Sequence, residues 1–354
     1  MINLELSKKI KFISFISIVM VIYIHNYNIK DGTSYFFDID SLFAFSNIFI
    51  QNLFSEGFSR VSIPIFFIIS AYLFFQNFTL SIYRYKIFKR IRTLLLPYLF
   101  WTSIVVLIHL TLQSIPILVH FFNKKMIVDL SLWELFIRTW INPLNYPLWF
   151  LRDLILLTTL VPIIFFFLKK LPQITLIIIT IVWFLNTSLH IMDNNSLPFF
   201  FYGAYIALFK NEILYKKISN SFFVYLLIFY LVLSATKAYF LTIDATLEFT
   251  PFMILFQKGL ILMGIITLWF AIDRVKLKSI LFLTQFTFLF YVFHEPALTI
   301  LEKGVNAFFG RSTFISLLSY LFLPFLIILY LTILGLFFKK YFPRFTSIIT
   351  GYRV

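Results

Sequence analysis

Apolar runs recur along all 354 residues, and they leave few folds open. A membrane crossing needs about 20 consecutive, mainly apolar residues. In lipid every backbone N–H and C=O must find a partner inside the protein, so such runs fold as helices. On that rule ten spans are expected, near 12–29, 61–80, 93–113, 147–168, 171–189, 197–209, 221–240, 251–271, 279–299 and 313–338. Composition excludes the soluble alternative. Hydrophobic residues make up 61% of the chain and charged residues 13%, against about 45–50% and about 25% in soluble domains. Fifty phenylalanines are far more than one soluble core can bury. The expected fold is all-α, a polytopic membrane helix bundle of about ten transmembrane helices.

Details of the runs add to this. The first lacks a small-residue cleavage site, so it reads as a retained span and not as a secretory signal. The sixth, 197–209, is short and carries Gly203, so it is expected to be tilted, broken or supported by neighbours. Stretches near 41–55 and 130–141 mix aromatic and polar residues, as interfacial helices or re-entrant caps do. No internal repeat or linker divides the chain, so 1–354 reads as a single membrane domain. With no cysteine there is no disulfide, thiolate nucleophile or thiolate metal site.

Loop charges orient the spans. With the N-terminus inside, 20 of the 30 Lys and Arg fall on the inner side. They include Lys8, Lys9 and Lys11, the group Arg84 to Arg92, Lys216, Lys217 and Lys339. Acidic residues such as Asp31, Glu56, Asp193 and Glu248 fall on the outer side. The positive-inside rule therefore puts both termini in the cytoplasm. The net charge of +15 is mostly membrane topology, because the basic residues are dispersed over the inner face. No nucleic-acid partner is expected; the membrane lipid is.

Charges inside the spans are costly, and they usually face a cavity or a partner. His25 comes late in the outward first span. At about 1.5 Å of rise per residue it lies in the outer half of the membrane. Arg152 and Asp153 begin the inward fourth span, as adjacent residues that point in different directions. His294 and Glu295 end the ninth. Lys237 and Lys258 lie at a similar depth, and Arg60 stands at the outer mouth of the second span. Charges from separate helices thus converge on one level. Lys237 and Arg60 are equally consistent with snorkelling to the interface. His109 reads as a core histidine bonded to a carbonyl, and His120 and His190 as loop residues. On the inner face, Tyr83 to Arg92 holds Arg84, Lys86, Lys89, Arg90 and Arg92. It serves either as an anchor to anionic lipid or as a site for a phosphate-rich cytosolic ligand.

Four segments, in order, resemble the membrane acyltransferase-3 family of bacterial surface-carbohydrate O-acyltransferases. They are Ile18 to Asn26, with its closing histidine; Arg60 to Leu73, with Pro64, Phe66-Phe67 and Ser70-Ala71-Tyr72-Leu73; Lys89 to Trp101, a basic loop entering a span; and Pro147 to Leu154, with Trp149-Phe150-Leu151. Tyr291 to Pro296 is a weaker fifth. Eleven residues before the histidine, where the family has Arg or Lys, this chain has Ser14, with Lys11 one turn earlier. The family's Ser-Gly pair is Ser70-Ala71 here.

The resemblance implies an enzyme of the bacterial inner (plasma) membrane, multi-pass, that moves an acyl group, most often acetyl, from cytosolic acyl-CoA to a hydroxyl. The acceptor would be an envelope glycan or a lipid-linked oligosaccharide. No cofactor is held permanently, and acetyl-CoA or another acyl-CoA is the donor. His25 is then the expected general base, or the carrier of a transient acyl group. Catalytic roles extend to Arg152, His294 and Glu295, with Arg152 or Lys258 as the oxyanion donor. Lys86, Lys89, Arg90, Arg92 and Lys11 would hold the acyl-CoA. Arg60, Trp149, Asp153 and Lys258 would meet the acceptor, with Trp149 and Phe150 either stacking on a sugar or anchoring at the interface. A glycan transporter or flippase with an outward polar cavity is the rival reading.

Overall fold

A computed structural model describes residues 3–29, 42–119, 125–187, 191–275 and 281–353. Among these residues there is helix and no strand, as the lipid constraint on backbone polar groups requires. His120, His190, Lys30, Lys124, Lys276 and Lys278 lie outside the described residues.

The helical elements, in order, are α1 (Leu4–His25), α2 (Leu42–Phe75), α3 (Leu80–Gln113), α4 (Leu132–Phe136), α5 (Trp149–Thr159), α6 (Val161–Lys170), α7 (Pro172–Phe184), α8 (Ser196–Phe209), α9 (Asn220–Ile243), α10 (Pro251–Ile272), α11 (Thr287–Phe309), α12 (Thr313–Tyr341) and α13 (Pro343–Ile349). Five of them, α2, α3, α9, α10 and α12, are long and apolar enough to cross a membrane. There are up to six if Tyr146–Thr159 and Val161–Lys170 form one broken span. α1 is long enough, but its first turns carry Lys8, Lys9 and Lys11.

Two expected boundaries change. The stretch near 41–55 is not a separate interfacial helix. It runs on through a π-helical turn, Leu53–Phe58, and a short 3₁₀ turn into the second span, giving 34 continuous residues. The basic segment before the third span is likewise helical and continuous with it, through a second π turn at Ile91–Leu95.

The described chain forms two compact units. The first comprises 1–78 and 164–333, the second 79–163 and 334–354. In the first, Leu6, Ile10 and Ile13 of α1 face Val61, Ile65, Ile69 and Tyr72 of α2, all buried. The three-to-four-residue spacing puts each set on one helix face. Lipid tails are as apolar as these side chains, so close packing, small residues and buried polar bonds must supply cohesion. The short α8 shows how. A Cβ added at Gly203 would lie 2.2 Å from the Ile68 carbonyl oxygen and 2.9 Å from the Ala71 methyl. The extra methyl at Ala71 is thus accommodated by a glycine opposite, and α8 is supported by α2.

The second unit is closed by backbone bonds from aromatic side chains. Tyr98 Oη donates to the Trp140 carbonyl at 2.7 Å, and Trp101 Nε1 to that of Ile349 at 2.9 Å. His109 Nδ1 lies 2.9 Å from the Val105 carbonyl oxygen of its own helix, as expected of a core histidine.

Candidate active site

His25 is the last residue of α1. Asn26 caps the helix, its N–H donating to the Ile22 carbonyl at 2.9 Å. The buried Asn26 side chain also donates to the carbonyls of Tyr320 (2.8 Å) and Ser319 (3.2 Å) on α12. The end of α1, which carries His25, is thereby pinned. His25 is half-buried. Its ring centroid lies 5.1 Å from that of His294 on α11, with the planes at 45°. His294 is fully buried. Arg60 is the other ionisable group that acts electrostatically on His25.

Glu56 holds that guanidinium. It lies in the π turn of α2, and its side chain is buried. Such turns frequently mark functional positions. Arg60 Nε donates to Glu56 Oε2 at 2.9 Å and Nη2 donates to Oε1, a fork-to-fork pair. From α9, Lys237 Nζ donates to Glu56 Oε2 at 3.3 Å, to the Glu56 carbonyl at 3.1 Å and to Gln257 Oε1. Lys237 is therefore a buried partner of Glu56 and does not snorkel. Around it, Tyr27 Oη donates to Asn52 Oδ1 (2.7 Å), and Asn52 Nδ2 to Thr242 Oγ1 (3.1 Å). Gln51 and Asn28 exchange bonds of 2.9 and 3.2 Å.

Two other expected residues of this unit, Lys258 and Glu295, have partners of their own. Lys258 Nζ donates to the carbonyls of Trp183 and Phe184 and to Asn186 Oδ1 (2.9 Å). It caps α7, where the last carbonyls lack partners within the helix. Glu295 Oε1 accepts from Thr299 Oγ1 at 3.0 Å. Lys11 is exposed, and Ser14 Oγ donates to the Ile10 carbonyl of its own helix.

Within the second unit, Arg152 does pair with its neighbour. Its Nη2 and Nε donate to Asp153 Oδ1 at 2.9 and 3.1 Å, and Nη1 to the Ile141 carbonyl at 2.9 Å. Asp153 is fully buried, and Trp149 stands edge-on to Phe150 with centroids 6.4 Å apart. In the basic segment, Lys86 and Arg90 are half-buried on one helix face, while Lys89 and Arg92 are exposed.

Glu56 is the buried, paired carboxylate that the sequence does not single out, because it stands with the outer loop acids. Its one signal was the four-residue spacing to Arg60, which places both on one helix face.

Comparison with known proteins adds the chemistry. The model of the acyltransferase-3 family, an acyltransferase domain, matches residues 9–342, nearly the whole chain. The chain belongs to the acyltransferase-3 family. It is thus an enzyme that transfers acyl groups, and its long apolar helices fit a membrane protein. No curated protein and no solved structure matches it. In this acyltransferase-3 member the two histidines stand together, and Arg60, which acts on His25, is held by the buried Glu56.

Proposed function

We propose that this acyltransferase moves an acyl group, most simply acetyl, from cytosolic acyl-CoA to a hydroxyl of a cell-envelope polysaccharide or its lipid-linked precursor. In this reading the chain crosses the bacterial inner membrane ten times, with both ends in the cytoplasm. His25 is the general base that takes the hydroxyl proton as the oxygen attacks the thioester.

The observation that carries the reading is the pairing of His25 with His294, 5.1 Å apart, at the pinned end of α1. An imidazole can take a proton on one nitrogen and return it, the work a general base must do here. The foot of the same helix supports a polyanionic donor. A cavity of about 420 Å³ there is lined by Lys8, Lys9, Lys216 and Lys217 and by Glu5 and Asp273, with Lys9 paired to Asp273 at 2.7 Å. Lys8 and His25 are separated by 17 residues, about 25 Å of helix. A thioester arm would have to bridge such a distance while its phosphates stay at the inner face. Lys11 in the first unit, and Lys86, Lys89, Arg90 and Arg92 in the second, are each proposed to contact the acyl-CoA. For the acceptor the proposal keeps Arg60 in the first unit and, separately, Trp149 and Asp153 in the second, with Arg152 proposed as an oxyanion donor. Lys258 spends its donors on the end of α7.

The test is glycan acylation in cells carrying His25→Ala, followed by mass spectrometry of the envelope glycan. Loss of the acyl mark at normal protein level is expected. An unchanged mark would sink the mechanism. Purified protein that neither binds nor hydrolyses acyl-CoA would sink the choice of donor.

A further inference from the structure

His294 Nδ1 lies 2.7 Å from the Tyr291 carbonyl oxygen and 3.1 Å from that of Phe290. Both neighbours are acceptors only, so Nδ1 must carry the proton and donate it. A neutral imidazole has one N–H, so its Nε2 is then a bare lone pair. Nε2 is buried and makes no hydrogen bond in this structure. Such a buried, unsatisfied acceptor calls for an explanation. The two carbonyls lock the ring in one tautomer, and the imidazole of His25 stands against it, with ring centroids 5.1 Å apart.

We propose that His294 is a positioning residue whose Nε2 lone pair receives an N–H of His25 during turnover. This rests on the reading of His25 as the base. Holding one nitrogen of His25 protonated leaves the other unprotonated and turned to the acceptor. That is the logic of a base oriented by a third group. Catalytic hydrogen bonds are often long before substrate binds, which accounts for a pair that stands close without a bond.

The step balances. The acceptor oxygen forms a bond to the thioester carbonyl carbon, and its proton passes to the bare nitrogen of His25. The C–S bond breaks, and His25 returns the proton to the departing sulfur as thiol. His294 accepts a hydrogen bond throughout and keeps its own proton on Nδ1.

Two measurements test the proposal. The first is ¹⁵N NMR of histidine-labelled full-length protein in lipid nanodiscs, with the His294 signals identified by their loss in His294→Gln. A neutral Nδ1–H tautomer whose Nε2 resonance shifts in His25→Ala is expected. An Nε2–H tautomer, or an Nε2 resonance indifferent to His25, overturns the proposal. This readout holds whether or not the protein turns over acyl-CoA.

The second is kinetic. His294→Asn keeps a donor near Nδ1 but places nothing at Nε2, whereas His294→Gln places an amide oxygen there. The Asn variant is expected to lose kcat by about 100-fold, the scale of acid–base assistance, with KM for acyl-CoA unchanged. The Gln variant is expected to recover most of it. Equal kcat in wild type and Asn overturns the proposal, as does an equal loss in both variants accompanied by lowered thermal stability. Absence of acyl-CoA turnover in the wild type would instead refute the functional reading, with the NMR result still deciding the His25–His294 contact.

Discussion

The carboxylate of Glu56 faces the guanidinium of Arg60 one turn along the same helix, and both of its oxygens are taken. The Glu56 side chain is 4% exposed and that of Lys237 2%. Removing one member of a buried ion pair leaves an uncompensated charge, at a cost of about 3–5 kcal/mol. Glu56→Ala is therefore expected to lower thermal stability in detergent by that order. Glu56→Ala with Lys237→Met should recover part of the loss, because it removes the stranded ammonium. Thermal unfolding of the two variants checks this, and a double variant no better than the single one contradicts it.

Gly203 sits against backbone. Its nearest neighbour, the Ile68 carbonyl, cannot swing aside as a side chain can. Gly203→Ala should cost about 1–3 kcal/mol, as overpacking does. Ala71→Gly should not rescue it, since the Ile68 oxygen remains. A melting temperature equal to wild type in Gly203→Ala would disprove the packing.

Lys258 caps α7, and it is buried. Lys258→Met would leave carbonyl groups at the helix end without a donor, at about 1–3 kcal/mol. Stability should fall while acyl transfer per folded molecule is kept. A variant of normal stability with lost transfer would return Lys258 to the active site.

The half-buried Lys86 and Arg90 belong to the proposed donor site. Lys86→Ala with Arg90→Ala should raise KM for acyl-CoA by about tenfold or more, each charge-assisted bond being worth about 1.5–3 kcal/mol. The effect should shrink in high salt, which screens such contacts. A salt-independent KM equal to wild type would assign the cluster to lipid anchoring.

Glu134 lies in the first turn of the short α4, with its side chain 43% exposed. The backbone N–H of Ser131, the Lys125 ammonium and the Ser131 side chain hold its carboxyl at about 2, below the ordinary 4.5. It forms a capping box with Ser131 at the start of α4. Because the folded group titrates lower, its contribution is full above about pH 4.5 and is lost as pH falls towards 2. Hydrogen exchange at 131–136 should quicken across that window in wild type. In Glu134→Gln it should be largely independent of pH there. Equal profiles in the two would refute the cap.

Much of this was legible in the chain. His25 stood out because an imidazole in an apolar run demands a partner. His294 and Arg60 were visible as further polar residues of the same kind. Lys237 and Lys258 were visible too, but their partners were not. A lysine stem is long enough to reach solvent, a carboxylate or a helix end, and spacing does not choose among these. Glu56 was hidden because its neighbours read as loop. A π turn that draws a loop acid into a helix leaves no periodic trace in sequence.

The sequence by itself determined the solvent, the helical class and the family. Each follows from composition, run length and ordered motifs, which are properties of short stretches. Tertiary structure alone decided which polar groups meet. It joined Glu56 to Lys237 across 181 positions and brought His25 against His294. It also turned Lys258 to the end of α7. In lipid an unpaired polar group is expensive, so each must find a partner, but the partner is set by helix rotation and depth. Those depend on packing of small residues such as Gly203 against a neighbouring helix, and no local pattern encodes them.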